Sequence, residues 1–134
     1  MTAILRLRDV VAYMVTRLKC VHPFYISRVL VLANWKAIEE LGKPMVEFSI
    51  EGFEAGFFIP ELGELIDKDP CFERNKEKKC VEYVCDEPAI PSEYKEILDN
   101  VIENTKSLDV RELNRLVIRD PRYNELLRLR GFKH

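Results

Sequence analysis

EGFEAGFFIPEL, residues 51–62, sets two glycines, three phenylalanines and a proline between acidic residues, with neither helical nor clean strand periodicity. As a strand it is poor; as a shaped turn it is something the rest of the chain presents. Gly52 and Gly56 allow backbone turns that other residues resist, and Pro60 suits the first turn of a helix. The phenylalanines fill or display what lies between.

On either side the pattern is helical. Val11, Met14 and Leu18, with Ile4, Leu7 and Val10, fall at helical spacing and predict a first helix over residues 4–19. Pro23 suits the start of a second helix, and Gly42 its end. That helix is apolar on most faces at Ile26, Val29, Leu30, Leu32, Ala33, Ala37, Ile38 and Leu41, which places it centrally in the core. Met45, Phe48 and Ile50 suggest an extended lead into the opening stretch. Residues 71–85, CFERNKEKKCVEYVC, read as a β-hairpin with a charged tip at 75–78.

The last third is helical again. Ser92 is the expected cap of a helix bearing Tyr94, Ile97, Leu98, Val101 and Ile102 on one face. Asp109 and Glu112 have capping-box spacing. Asp120-Pro121 separates that helix from a final one over 122–130, stopped by Gly131. The expected fold class is α+β: one mainly helical domain over 1–134, with five or six helices and a small antiparallel hairpin or sheet.

Composition narrows the class. Hydrophobic residues make up 47% and charged ones 33%, as in a folded, soluble protein. No apolar run approaches the ~18–20 residues of a membrane span. The N-terminus meets an acid at position 9 and lacks the pattern of a signal peptide, so a cytoplasmic location is expected, the host's if the protein is viral. Gln is absent and Ser and Thr are scarce, a leaning toward a thermophilic source.

Charge is unevenly spread, at +5 over residues 1–36, −11 over 37–110 and +4 over 111–134. Basic terminal helices beside an acidic middle are the plainer explanation. Overall acidity also argues against strong non-specific DNA binding. Even so, Arg111, Arg115, Arg119 and Arg122 on the last helices form a candidate nucleic-acid surface.

Candidates for chemistry are few. His22 sits in an inter-helix turn and His134 at the terminus, where disorder is expected. No glycine-rich phosphate loop and no catalytic constellation is present, so the reading is non-enzymatic, with no cofactor. Cys71, Cys80 and Cys85 with Cys20 or His22 match no zinc-knuckle spacing. Cys71 and Cys80 bracket the hairpin symmetrically, so a disulfide between them, or buried free thiols, is preferred to a metal site.

The order of these features resembles the Panacea domain, the SocA-like antitoxin domain also known as phage-associated or GepA-like. Asp9-Val10-Val11-Ala12-Tyr13-Met14 is similar to that family's first helix. RVLVLANWKAIEELGKPM, with Trp35, Gly42, Lys43 and Pro44, is similar to its second. EGFEAGFFIPEL follows its signature through Glu51, Phe53, Gly56, Pro60, Glu61 and Leu62. ILDNVIENTKSLDVRELNRLVIRDPRY matches its last third through Leu98, Asp99, Val101, Leu113, Leu116, Pro121 and Tyr123. Two departures stand out: Phe57 where the family has proline, and Val117-Ile118 where it has Thr-His.

The resemblance implies a mainly helical fold with a small sheet. It also implies a domain that neutralises toxins by direct contact, or an adaptor that delivers one to a protease, with no catalysis of its own. The expected partner is a protein. It would dock on the aromatic, glycine-rich region and adjoining helix through Trp35, Phe53, Phe57, Phe58 and Glu61. A DNA-binding regulator is the alternative, and a homodimer one open oligomeric state.

Overall fold

A helix with almost no polar side organises the molecule. In the computed structural model, which describes residues 5–132, this is α2 (Pro23–Leu41), following α1 (Leu7–Leu18). Ile4 and His134 lie outside the described residues. The α2 start is built by Pro23 in its first turn and by His22 Nδ1, which accepts a hydrogen bond from the Phe24 amide at 3.0 Å. Its end is Gly42 at φ 81, where the left-handed conformation favours glycine. Ile26, Val29, Leu30, Val31, Ala33 and Ala37 are fully buried, so α2 forms the centre of the core.

Asn34 is buried in the same helix. Its Oδ1 accepts from the amides of Met45 and Val46 at 3.0 and 3.2 Å, and its Nδ2 donates to the Val46 carbonyl at 2.7 Å. One amide side chain thus satisfies three backbone groups that would be orphaned in the core. This fixes the segment leading to β1 (Phe48–Ser49).

Next come β2 (Glu51–Phe53), β3 (Gly56–Phe58), α3 (Pro60–Lys68), β4 (Phe72–Asn75) and β5 (Cys80–Tyr83). The chain closes with α4 (Ser92–Thr105), α5 (Val110–Ile118), α6 (Arg122–Leu129) and β6 (Gly131–Phe132). The fold is α+β and mainly helical; the described residues form six helices and three antiparallel two-stranded ladders, β1–β6, β2–β3 and β4–β5. The β1–β6 ladder joins distant parts of the chain and sets the Phe48 and Phe132 rings edge to face, 5.2 Å between centroids. Gly131 is required there, since its φ is 130 and a Cβ would collide with the Phe48 carbonyl.

Asp109 caps α5, its Oδ1 accepting from the Glu112 amide at 2.8 Å. Ser92, in contrast, is the first helical residue of α4. Pro91 occupies the cap position, and no side chain caps that helix end.

The cysteine pairing corrects the sequence expectation. Cys20 pairs with Cys80 and Cys71 with Cys85, each at a Cα–Cα distance of 5.3 Å. Cys71 and Cys80 are not bonded, because the β4–β5 hairpin is centred later than its composition suggests. Asn75 Oδ1 accepts from the Lys78 amide at 3.0 Å, Lys79 adopts φ 56, and the register sets Asn75 opposite Cys80. Cys71 therefore lies four residues from Cys80's partner position, about 13 Å along the strand, beyond the ~7 Å reach of a disulfide. Cys20 instead meets Cys80 through the neighbouring Val21–Val81 bridge, whose two hydrogen bonds are 3.1 and 2.8 Å.

No helix among the described residues is long and apolar enough to cross a membrane. Among them, no cluster of three or more His, Cys, Asp or Glu is arranged to hold a metal ion.

Candidate functional site

Glu51–Phe53 and Gly56–Phe58 form a tight hairpin, with Glu51 opposite Phe58, Gly52 opposite Phe57 and Phe53 opposite Gly56. Side chains alternate across a strand, so Gly52 and Phe57 share the inner face. Glu51, Phe53, Gly56 and Phe58 share the outer one. Phe57 is 7% exposed, whereas Phe53 is 70% and Phe58 56% exposed. The usual order is inverted on the outer face, where two aromatic rings meet solvent.

The glycines serve proximity here. Neither Gly52 nor Gly56 has a positive φ. A Cβ on Gly52 would collide with the Gly56 carbonyl and with Phe57, so the strands approach closely only because Gly52 has no side chain. A Cβ on Gly56 would lie 3.3 Å from Arg28 Nη2, tight against a group the site depends on.

Three helices fasten the hairpin by its carbonyl oxygens. Arg28 Nη1 on α2 donates to Phe57 O at 2.9 Å, Asn114 Nδ2 on α5 to Ala55 O at 2.9 Å, and Tyr123 Oη on α6 to Phe53 O at 2.7 Å. The Phe57 ring lies 4.1 Å from the Arg28 guanidinium carbon and 5.9 Å from the Tyr123 ring.

Arg28 is the centre of this clamp. Its Nε and Nη2 both donate to Asn114 Oδ1, at 3.1 and 2.8 Å, and Nη1 also reaches Ser27 Oγ at 2.9 Å. The guanidinium is held between the Phe24 ring at 3.8 Å and the Phe57 ring at 4.1 Å. Burial brings its pKa down to about 10, so it stays charged at neutral pH. Among the described residues it makes no ion pair with a carboxylate. Amide, hydroxyl and carbonyl oxygens with two aromatic faces take that role, and its planar fork suits them better than an ammonium would.

The structure separates the five residues named as partner contacts. Phe53 and Phe58 stand together on the outer face of the hairpin. Phe57 is core, because strand alternation turns it inward between Arg28 and Tyr123. Trp35 is also buried, at 4% exposure, with the Arg122 guanidinium over its ring at 4.6 Å. Glu61 binds backbone, its Oε2 accepting from the Ser49 amide at 2.9 Å.

The four C-terminal arginines also divide. Arg111 and Arg115 are exposed on α5, and Arg119 is exposed at its C-cap. Arg122 is exposed too, but its guanidinium is held by Asp120 and Glu39, both at 2.7 Å, and lies over Trp35. Sequence reasoning missed Arg28, Asn114 and Tyr123 as the groups that hold the hairpin. The one available signal was a cation at position 28, between Ile26-Ser27 and Val29-Leu30 in an otherwise apolar stretch. No protein-family model, curated protein or solved structure matches the chain.

Proposed function

We propose that this chain is a non-enzymatic protein-interaction domain of antitoxin type, which binds a toxin directly on the outer face of the β2–β3 hairpin. The observation that carries the reading is the pair Phe53 and Phe58, exposed together on a backbone fastened at three carbonyls. Exposed aromatic surface is hydrated at a cost in the isolated fold, while at an interface such rings dominate binding. A hairpin already held in shape loses little conformational entropy on docking. The resemblance of residues 51–62 to an antitoxin signature supports the same assignment and makes the partner a protein toxin in the cytoplasm.

A photo-crosslinking amino acid placed at Phe53 or Phe58, in the source cell, tests it. The expected product is one discrete protein adduct at both positions, absent when the crosslinker replaces Val84, and that protein should arrest growth unless this chain is co-expressed. Adducts of equal intensity at all three positions, or a captured protein whose toxicity this chain leaves unchanged, would overturn the proposal.

A further inference from the structure

The tip of the β4–β5 hairpin and the start of α2 flank an open pocket of about 340 Å³ whose charged lining is wholly basic. His22, Arg74, Lys76 and Lys79 contribute to its walls, and no carboxylate does. Arg74 is already engaged by Asp67 at 2.9 Å, outside the lining. Glu82 of β5 also stays out of it, accepting from Asn75 Nδ2 at 3.3 Å. Lys76 and Lys79 are exposed and make no ion pair among the described residues. Two free ammonium groups thus face one small volume.

Three further features set this pocket apart from an ordinary solvated basic surface. Lys79 is held at φ 56, a left-handed conformation that glycine or asparagine adopts more readily. The hairpin keeps a lysine where its backbone favours another residue. His22 Nδ1 accepts from the Phe24 amide, so the neutral ring carries its proton on Nε2 and presents a donor there. Finally, the Cys20–Cys80 bond and the Val21–Val81 bridge join the two walls, which keep their spacing when a ligand enters.

From the combination we infer that this pocket is a binding site for an oligophosphate, with pyrophosphate the smallest member of the class. Lysine ammoniums are point charges that take phosphoryl oxygens from any direction, whereas carboxylates are better matched by the fork of arginine. Adjacent phosphoryl groups concentrate several negative charges in a volume at the small end of ligand sites, and so answer Lys76 and Lys79 together. His22 Nε2 donates to a further phosphoryl oxygen. The first-turn amides of α2 are already used, Phe24 by His22 Nδ1 and Tyr25 by the His22 carbonyl, so side chains do the holding. The positive end of the α2 dipole, at Pro23 in the same wall, adds to the attraction.

Calorimetric titration of the full chain with inorganic pyrophosphate tests this. The expected result is saturable one-to-one binding that weakens as salt rises. Lys76→Glu with Lys79→Glu should weaken it at least about tenfold. Lys95→Glu with Lys106→Glu, the same charge change on α4, should leave it unaltered. Lys79→Gly should raise Tm by easing the backbone and still weaken binding several-fold. Four outcomes would overturn the inference: no saturable binding, unchanged binding by Lys79→Gly, equal losses in the two double variants, or a tetraglutamate peptide that binds as tightly as pyrophosphate. Equal losses would make binding a response to net charge, and tight tetraglutamate binding would assign the pocket to acidic peptides.

Discussion

Arg28 and Asn114 lie 86 residues apart in the chain, yet two guanidinium nitrogens of Arg28 donate to the single Oδ1 of Asn114, at 3.1 and 2.8 Å. The other end of the Asn114 amide holds the Ala55 carbonyl, so one contact joins α2, α5 and the hairpin turn. Arg28→Lys keeps the charge and loses the fork. It should lower stability by about 2–3 kcal/mol, and a double-mutant cycle with Asn114→Ala should show strong coupling in denaturant melts. Additive losses would mean that the two residues act separately.

The glycines of the chain are unequal, and alanine scanning should show it. Gly52→Ala forces a Cβ into the Gly56 carbonyl and should open the hairpin, lowering Tm. Gly63 lies within α3 with no neighbour near an added Cβ, so Gly63→Ala should stabilise by about 0.5–1 kcal/mol. Calorimetry of the two variants reads both signs at once.

Peptide mapping under non-reducing conditions should yield the pairs Cys20–Cys80 and Cys71–Cys85, and no Cys71–Cys80 peptide. Mild thiol treatment should open Cys71–Cys85 first. Cys85 is exposed to the attacking thiolate, and Arg8 Nη2, 3.2 Å from Cys71 Sγ, favours Cys71 as the departing thiolate. Cys80 is buried and should resist. Mass spectrometry after brief reduction and alkylation distinguishes the two orders.

Acid should weaken the fold through specific carboxylates. Asp69 is held below its ordinary pKa by the Cys71 amide and then by Arg8, and Asp120 chiefly by hydrogen bonds from Arg122. Both are depressed in the folded state, so their stabilisation is complete above the unfolded aspartate value near about 4. It is lost as pH falls through the lower folded values. Urea midpoints measured from pH 7 to pH 2 should therefore decline below about pH 4. Asp69→Asn with Asp120→Asn should flatten that decline.

Much of the helical frame was legible because its signals are local. The apolar surround of α2, Pro23, Gly42 and the Asp109–Glu112 spacing each act within a few residues. The hairpin at 51–58 was opaque for a definite reason: its outward positions carry Phe53 and Phe58, the reverse of the polar-out alternation by which strands are recognised. Cysteine pairing depended on a register set by Asn75 and Lys79, a shift of two residues that composition does not encode. Arg28 looked like one more helix cation, since the oxygens that hold it come from positions 57 and 114. The β1–β6 ladder, two residues joined across most of the chain, leaves no periodic trace.

The central claim is that Phe57 holds the hairpin while Phe53 and Phe58 face a partner. The direct measurement pairs thermal unfolding with toxin capture for two variants, Phe57→Ala and the double Phe53→Ser/Phe58→Ser. Phe57→Ala should cost about 3–5 kcal/mol of stability. The double variant should keep its Tm within a few degrees and lose capture and growth protection. A double variant that unfolds early, or one that protects as well as the parent chain, would contradict the account.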